Sequence, residues 1–155
     1  MKEIPLTKGA VAIVDDDMFD YLSQFNWFLH PAGYAVRNIC RNGKKTKIRM
    51  HREIIGTPDG METDHINNNR LDNRRENLRI CTHSQNRMNS SLQSNSTSGY
   101  KGVSYFKPAK LWKAELMLNN KHVLCKYFHS PEDAARAYNE AAKKYFGEFA
   151  KLNIV

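Results

Sequence analysis

From Thr63 to Asn89 the chain reads TDHINNNRLDNRRENLRICTHSQNRMN, with an Asp-His step at Asp64-His65, then Asn77, then Asn86. Phosphodiester hydrolysis needs a base to deprotonate water and a hard cation to neutralise charge on the phosphate and the leaving oxygen. Asp64, His65 and Asn86 are residue types that can supply both. The chemistry indicated is metal-dependent cleavage of nucleic acid.

Three short elements must position these groups. Leu78 to Cys81 reads as a strand, and Thr63 to Ile66 as its partner, because Asn67-Asn68-Asn69 and Asp72-Asn73 between them are turn formers. Thr82 with Gln85 three residues on is a capping box that predicts a helix starting at Thr82. Asn86 and Asn89 then share a helix face, from which Asn86 can look back at the strand carrying Asp64.

This strand, strand, helix pattern resembles the HNH endonuclease family, whose ββα-metal motif has an Asp-His step, a central Asn and a closing His or Asn on the helix. The closing residue here is Asn86, as in the HNN variant of phage intron-encoded nicking enzymes. The resemblance implies Asp64 and Asn86 as metal ligands and His65 as general base. It also implies that Asn77 braces the long hairpin loop and helps orient His65. Oxygen ligands of this kind favour Mg²⁺ or Mn²⁺ over Zn²⁺. In the same run, Arg74, Arg75 and Arg79 are candidates to hold phosphates. His51 is expected to be structural or superficial, and His83, in the first turn of the helix, solvated.

The 155-residue chain carries a net charge of +8. Residues 1–90 hold fourteen basic against eleven acidic residues, and residues 91–155 hold ten against five. Polyanion binding follows. Seven Lys or Arg and no acid lie between Tyr34 and Arg52. Arg37, Arg41, Lys44, Lys45 and Lys47 among them form a candidate phosphate track. Asn42-Gly43 makes this stretch a two-stranded basic ribbon. Before it, Val11 to Val14 is a short apolar run, and Asp15-Asp16-Asp17 caps a helix through about Phe25. Phe25, Trp27 and Phe28 are assigned to the core. Cys40, Cys81 and Cys125 form no Cys-x-x-Cys pair, so neither a disulfide framework nor a zinc site is implied. The first residues show no charged-then-apolar pattern and no apolar run approaches the roughly 20 residues that span a bilayer, so the expected location is the cytoplasm of a phage-infected or bacterial cell.

A polar stretch at residues 91–98 reads as a linker. Beyond it, YKGVSYF and LWKAELMLNNKHVLCKYF predict three strands, with Asn119-Asn120 at a tight turn. Ser130-Pro131 then starts a helix that runs to about Phe146 and is closed by Gly147. Ala134, Tyr138, Ala141 and Tyr145 are the expected packing face. With YKGV, W-x-A-E-L, this helix and the terminal A-x-L-N, the segment from Tyr100 to Asn153 is similar to the Apetala or ethylene-response-factor type of DNA-binding domain. The resemblance implies a DNA face including Lys101, Ser104, Phe106, Lys113, Glu115, Met117, His122 and Leu124. Ala114, Leu116, Val123 and Phe128 would face the helix, and Trp112 would be core.

The fold class expected is α+β. Residues 1–90 would be the nuclease domain, its ββα-metal core at about 62–90 following a small α/β lead-in. Residues 99–155 would be a three-stranded antiparallel sheet on one helix. The functional expectation is a site-directed, homing-type endonuclease that uses Mg²⁺ or Mn²⁺ on double-stranded DNA and acts as a monomer without a protein partner. A non-catalytic sequence-specific DNA-binding regulator and an RNA-binding protein are the other readings.

Overall fold

The computed structural model describes residues 1–92 and 96–155. The side chain of Arg41 and residues 93–95 of the expected linker lie outside the described set. The chain divides into two compact units, Met1–Asn86 and Arg87–Val155.

In the first unit, β1 (Lys2–Pro5) and β2 (Val11–Val14) form an antiparallel pair, followed by α1 (Asp16–Leu22). Asp15 sits at the N-cap of α1 without a side-chain capping bond. The helix stops at Leu22, short of the expected Phe25, and the Trp27 indole N–H donates to the Leu22 carbonyl at 2.9 Å. The ribbon gains a third strand: β3 (Phe28–Leu29) pairs with β4 (Ala35–Arg41), which pairs with β5 (Lys44–Arg49). Asn42 and Gly43 both take positive φ, 50° and 71°, as a tight hairpin turn requires. A helix absent from the sequence reading, α2 (Met50–Ile55), follows and buries Met50, His51 and Ile54. Six residues are too few to show a helical period. The last hairpin is β6 (Glu62–His65) with β7 (Leu78–Cys81), and α3 (His83–Met88) follows it. The core gathers Ile4, Val14, Leu22, Trp27, Met50 and Leu78, so the β6–β7 hairpin is anchored through Leu78.

In the second unit, β8 (Val103–Phe106), β9 (Leu111–Leu118) and β10 (Lys121–Phe128) make an antiparallel sheet with β9 central. Asn119 and Asn120 form the tight turn, both at positive φ. The helix α4 (Pro131–Phe146) is capped by Ser130, whose side chain accepts from the Asp133 N–H at 3.1 Å. Its buried face is Ala134, Ala135, Tyr138 and Ala142; Tyr145, expected on that face, is exposed. Gly102, at φ 72°, lies against the Tyr138 ring, where an added Cβ would fall 2.2 Å from ring carbons. An irregularity between His122 and Leu124 interrupts strand alternation. Leu124 is therefore buried with Ala114 and Leu116, against the expectation that it faced DNA. The described ends of the expected linker are bonded within this unit: the Ser98 hydroxyl reaches the Val103 carbonyl at 2.8 Å, and Lys101 Nζ reaches the carbonyls of Met88 and Ser90 at 2.6 and 2.8 Å. Among the described residues no helix is long and apolar enough to cross a membrane.

Candidate active site

Antiparallel register places Asp64 opposite Arg79 and His65 opposite Leu78. The capping box expected after β7 is formed: Gln85 N–H donates to Thr82 Oγ1 at 3.2 Å, and Thr82 N–H donates to Gln85 Oε1 at 2.8 Å. Together they start α3 where Asn86 can face the hairpin.

The loop between β6 and β7 is held from within and from below. Within it, Asn77 Oδ1 accepts the Asn67 N–H at 3.0 Å, and Asn77 Nδ2 donates to the Asp72 carbonyl at 2.8 Å. From below, β2 pairs with the loop backbone: Ile13 N–H donates to Leu71 O and Asn73 N–H to Ile13 O, each at 2.8 Å. The acidic run before α1 adds a clamp. Asp15 Oδ2 accepts the Arg75 N–H at 2.8 Å, and Asp17 takes the Arg75 guanidinium at 2.7 Å.

His65 is buried under this loop at 5 % exposure. Its Nε2 is 3.4 Å from Asn73 Oδ1, and its ring meets His51 edge-on at 4.9 Å and Tyr34 at 6.0 Å. Burial lowers its pKa, while Asn73, Asp64 and Asp72 oppose the shift. The imidazole is thereby kept in the neutral form that can accept a proton. Asn77 braces the loop; the side chain beside His65 is Asn73, which sequence reasoning missed because an Asn in a turn-rich run looks like any turn residue. His51, 3 % exposed, is held to a pKa of about 3, first by burial and then by His65, Arg49 and Arg52. It is an internal wall of the site.

Asp64 Oδ2 receives Arg79 Nη2 at 2.6 Å and Nε at 2.8 Å. Asn86 Nδ2 donates to Glu62 Oε2 at 2.5 Å, and Glu62 Oε1 lies 2.7 Å from Nδ1 of the exposed His83. Hydrogen bonds from Asn86 and His83 lower the Glu62 pKa. Glu62, Thr63, Asn86, His83, His51 and Tyr34 line an open cleft of about 570 Å³.

Residues 54–88 match the family model described as HNH endonuclease. A relative from Acanthamoeba polyphaga mimivirus, named as an uncharacterized HNH endonuclease, is 34% identical over 152 residues, covering 94% of this chain and 76% of the relative. The chain belongs to the HNH endonuclease family. Protein 3.8 of Escherichia phage T7 is 33% identical over 64 residues, 41% of this chain and 53% of that protein. No solved structure matches. As an HNH endonuclease the protein is a nuclease, a phosphodiester hydrolase, and DNA is the substrate that its domain implies.

HNH nucleases generally use divalent metal ions. Among the described residues, no three His, Cys, Asp or Glu side chains gather as a cation site. A carboxylate and an amide, Asp64 and Asn86, fit a hard oxygen-seeking ion.

The basic residues divide into two sets. Arg37 is internal: Glu53 takes its guanidinium at 2.6 and 3.0 Å, and it lies 3.9 Å from the Phe25 ring centre, so it is removed from the expected phosphate track. Arg74 binds Asp72 through two bonds, and Arg75 and Arg79 have the carboxylates named above, so these arginines brace the hairpin. Lys44, Lys45, Lys47 and Arg49 are exposed along β5. In the second unit, Lys113 and His122 both bond Glu115, at 2.8 and 2.9 Å. Their strand positions alternate with the helix-facing Ala114 and Leu116 and lie on the outer sheet face, where Phe106 and Tyr127 pair at 5.2 Å. The Lys101 ammonium is held by carbonyl groups and its pKa is lowered to about 8, by burial and then by Lys151, so it does not project from that face.

Proposed function

We propose that the protein is a metal-dependent, homing-type endonuclease that hydrolyses duplex DNA at a chosen site. The observation that carries this reading is the buried His65 beside Asp64 on a strand whose following loop is bridged by Asn77 and paired with β2. His65 takes the proton from the attacking water. Asp64 and Asn86 hold the cation, Mg²⁺ or Mn²⁺, which supplies charge neutralisation at the phosphate and the leaving oxygen. The products are a 5′-phosphate and a 3′-hydroxyl. With one such site per chain, a monomer nicks one strand and needs no protein partner. The exposed lysines of β5 track the phosphate backbone. The second unit, an Apetala-type module, supplies recognition through the outer face of its sheet with Lys113, Glu115 and His122.

The test is a single-turnover nicking assay on supercoiled DNA. His65→Ala should slow cleavage by about 10²–10⁴-fold with DNA affinity retained. EDTA should abolish cleavage. Undiminished cutting by the His65→Ala protein, or by the wild type in EDTA, would refute the mechanism.

A further inference from the structure

Asn86 and His83 are three residues apart on α3 and both reach one carboxylate on β6. Glu62 accepts the Asn86 amide through Oε2 at 2.5 Å and faces His83 Nδ1 through Oε1 at 2.7 Å. An amide is planar, with oxygen and nitrogen on opposite sides of its carbon, so whatever holds the nitrogen decides where the oxygen points. Its two ends also have opposite character: the nitrogen donates two hydrogens, and only the oxygen can ligate a hard cation. An Asn on an exposed helix can turn over and offer its N–H groups instead. All three side chains line one open cleft.

We propose that Glu62 is a positioning residue of the nuclease: its carboxylate fixes the Asn86 amide with the oxygen turned to the cation, and His83 fixes the carboxylate. The inference rests on the reading of Asn86 as a cation ligand. Glu62 lies two residues before Asp64 on the same strand, and strand alternation puts both carboxylates on one face. That face then presents one carboxylate for the cation and one for the cation's amide ligand. Outer partners of this kind typically account for about 10–100-fold in metal affinity.

The experiment is a Mn²⁺ titration of the full chain without DNA, by calorimetry and by electron paramagnetic resonance, on the wild type, Glu62→Ala, Glu62→Gln and Asn86→Ala. Circular dichroism melts check that each variant is folded. Glu62→Ala should weaken Mn²⁺ binding about 10–100-fold. Glu62→Gln, whose side-chain carbonyl can accept the same amide hydrogen, should recover most of that loss. In ¹⁵N-resolved spectra the Asn86 side-chain amide protons should move in Glu62→Ala and stay near their wild-type positions in Glu62→Gln. Wild-type affinity in Glu62→Ala alongside weakened binding in Asn86→Ala would overturn the positioning role and leave the ligand reading standing. Equal losses in Glu62→Ala and Glu62→Gln would overturn it in favour of direct ligation by the carboxylate. Wild-type affinity in Asn86→Ala would overturn both readings.

Discussion

Asn77→Ala removes two bonds from the loop that covers His65. The Asn67 N–H loses its acceptor and the Asp72 carbonyl loses its donor. The two losses are unequal. Asn67 is exposed and water can replace its partner, whereas Asp72 is 3 % exposed and its carbonyl has little access to solvent. Leaving one buried polar group unsatisfied costs about 1–3 kcal/mol, so the expected destabilisation of the first unit is about 2 kcal/mol. For a unit of this size that lowers the melting temperature by about 8–16 °C. Trp27 lies in the core of this unit and Trp112 in the other, so Trp27 fluorescence in a Trp112→Phe background follows the right transition. Asn77→Asp separates the two bonds: it can still accept from Asn67 but cannot donate to Asp72, and it should lose nearly as much as alanine. A shift below about 3 °C in Asn77→Ala would refute the reasoning, because it would mean that the loop keeps its shape without the bridge.

Three further outcomes follow from the same accounting of partners. Glu53→Ala leaves Arg37, 17 % exposed, without its carboxylate and should cost about 3–5 kcal/mol in urea unfolding. Replacing both Arg37 and Glu53 by Met should recover most of it and leave the salt dependence of DNA binding unchanged. Gly102→Ala drives a methyl group into Tyr138 at a positive φ, and should lower the stability of the second unit by about 2–4 kcal/mol, read from Trp112 fluorescence. For His51, the folded pKa of about 3 lies below the ordinary histidine value of 6.5, so its stabilising effect is complete above pH 6.5 and is lost as the pH falls toward 3. Each pH unit in that window costs about 1.4 kcal/mol, and His51→Phe should flatten the acid limb of stability against pH by about one proton.

The parts of this protein that were legible in the sequence are those written in neighbouring residues. Asn42-Gly43 and Asn119-Asn120 marked their hairpins because few residues tolerate two successive positive φ values. Thr82 and Gln85 marked the start of α3, the helix that carries Asn86. What stayed hidden depends on pairing across distance. The bracing role of the arginines in the Arg74 to Arg79 run shows only when Asp15, Asp17, Asp64 and Asp72 are seen beside them. Leu124 fits the outward alternation until the irregularity after His122 turns it inward. Asn73 looks like a turn residue until β2 fixes its backbone and the loop brings its side chain to His65. Glu62 has no local signature, since its partners lie twenty-one and twenty-four residues on.

The edge of β2 sets a limit on how this nuclease can be cut apart and reused. The family match spans residues 54–88, and that segment contains Asp64, His65, Asn77 and Asn86. Yet the loop above His65 is completed by Ile13 and by the carboxylate of Asp15, both about forty residues upstream of the matched segment. A transplanted 54–88 fragment would carry the candidate chemistry without the strand that holds it still, so a working graft has to take β1 and β2 with it. During synthesis the same dependence sets an order: β1 and β2 are made before the loop, so the loop gains its clamp only once both are present.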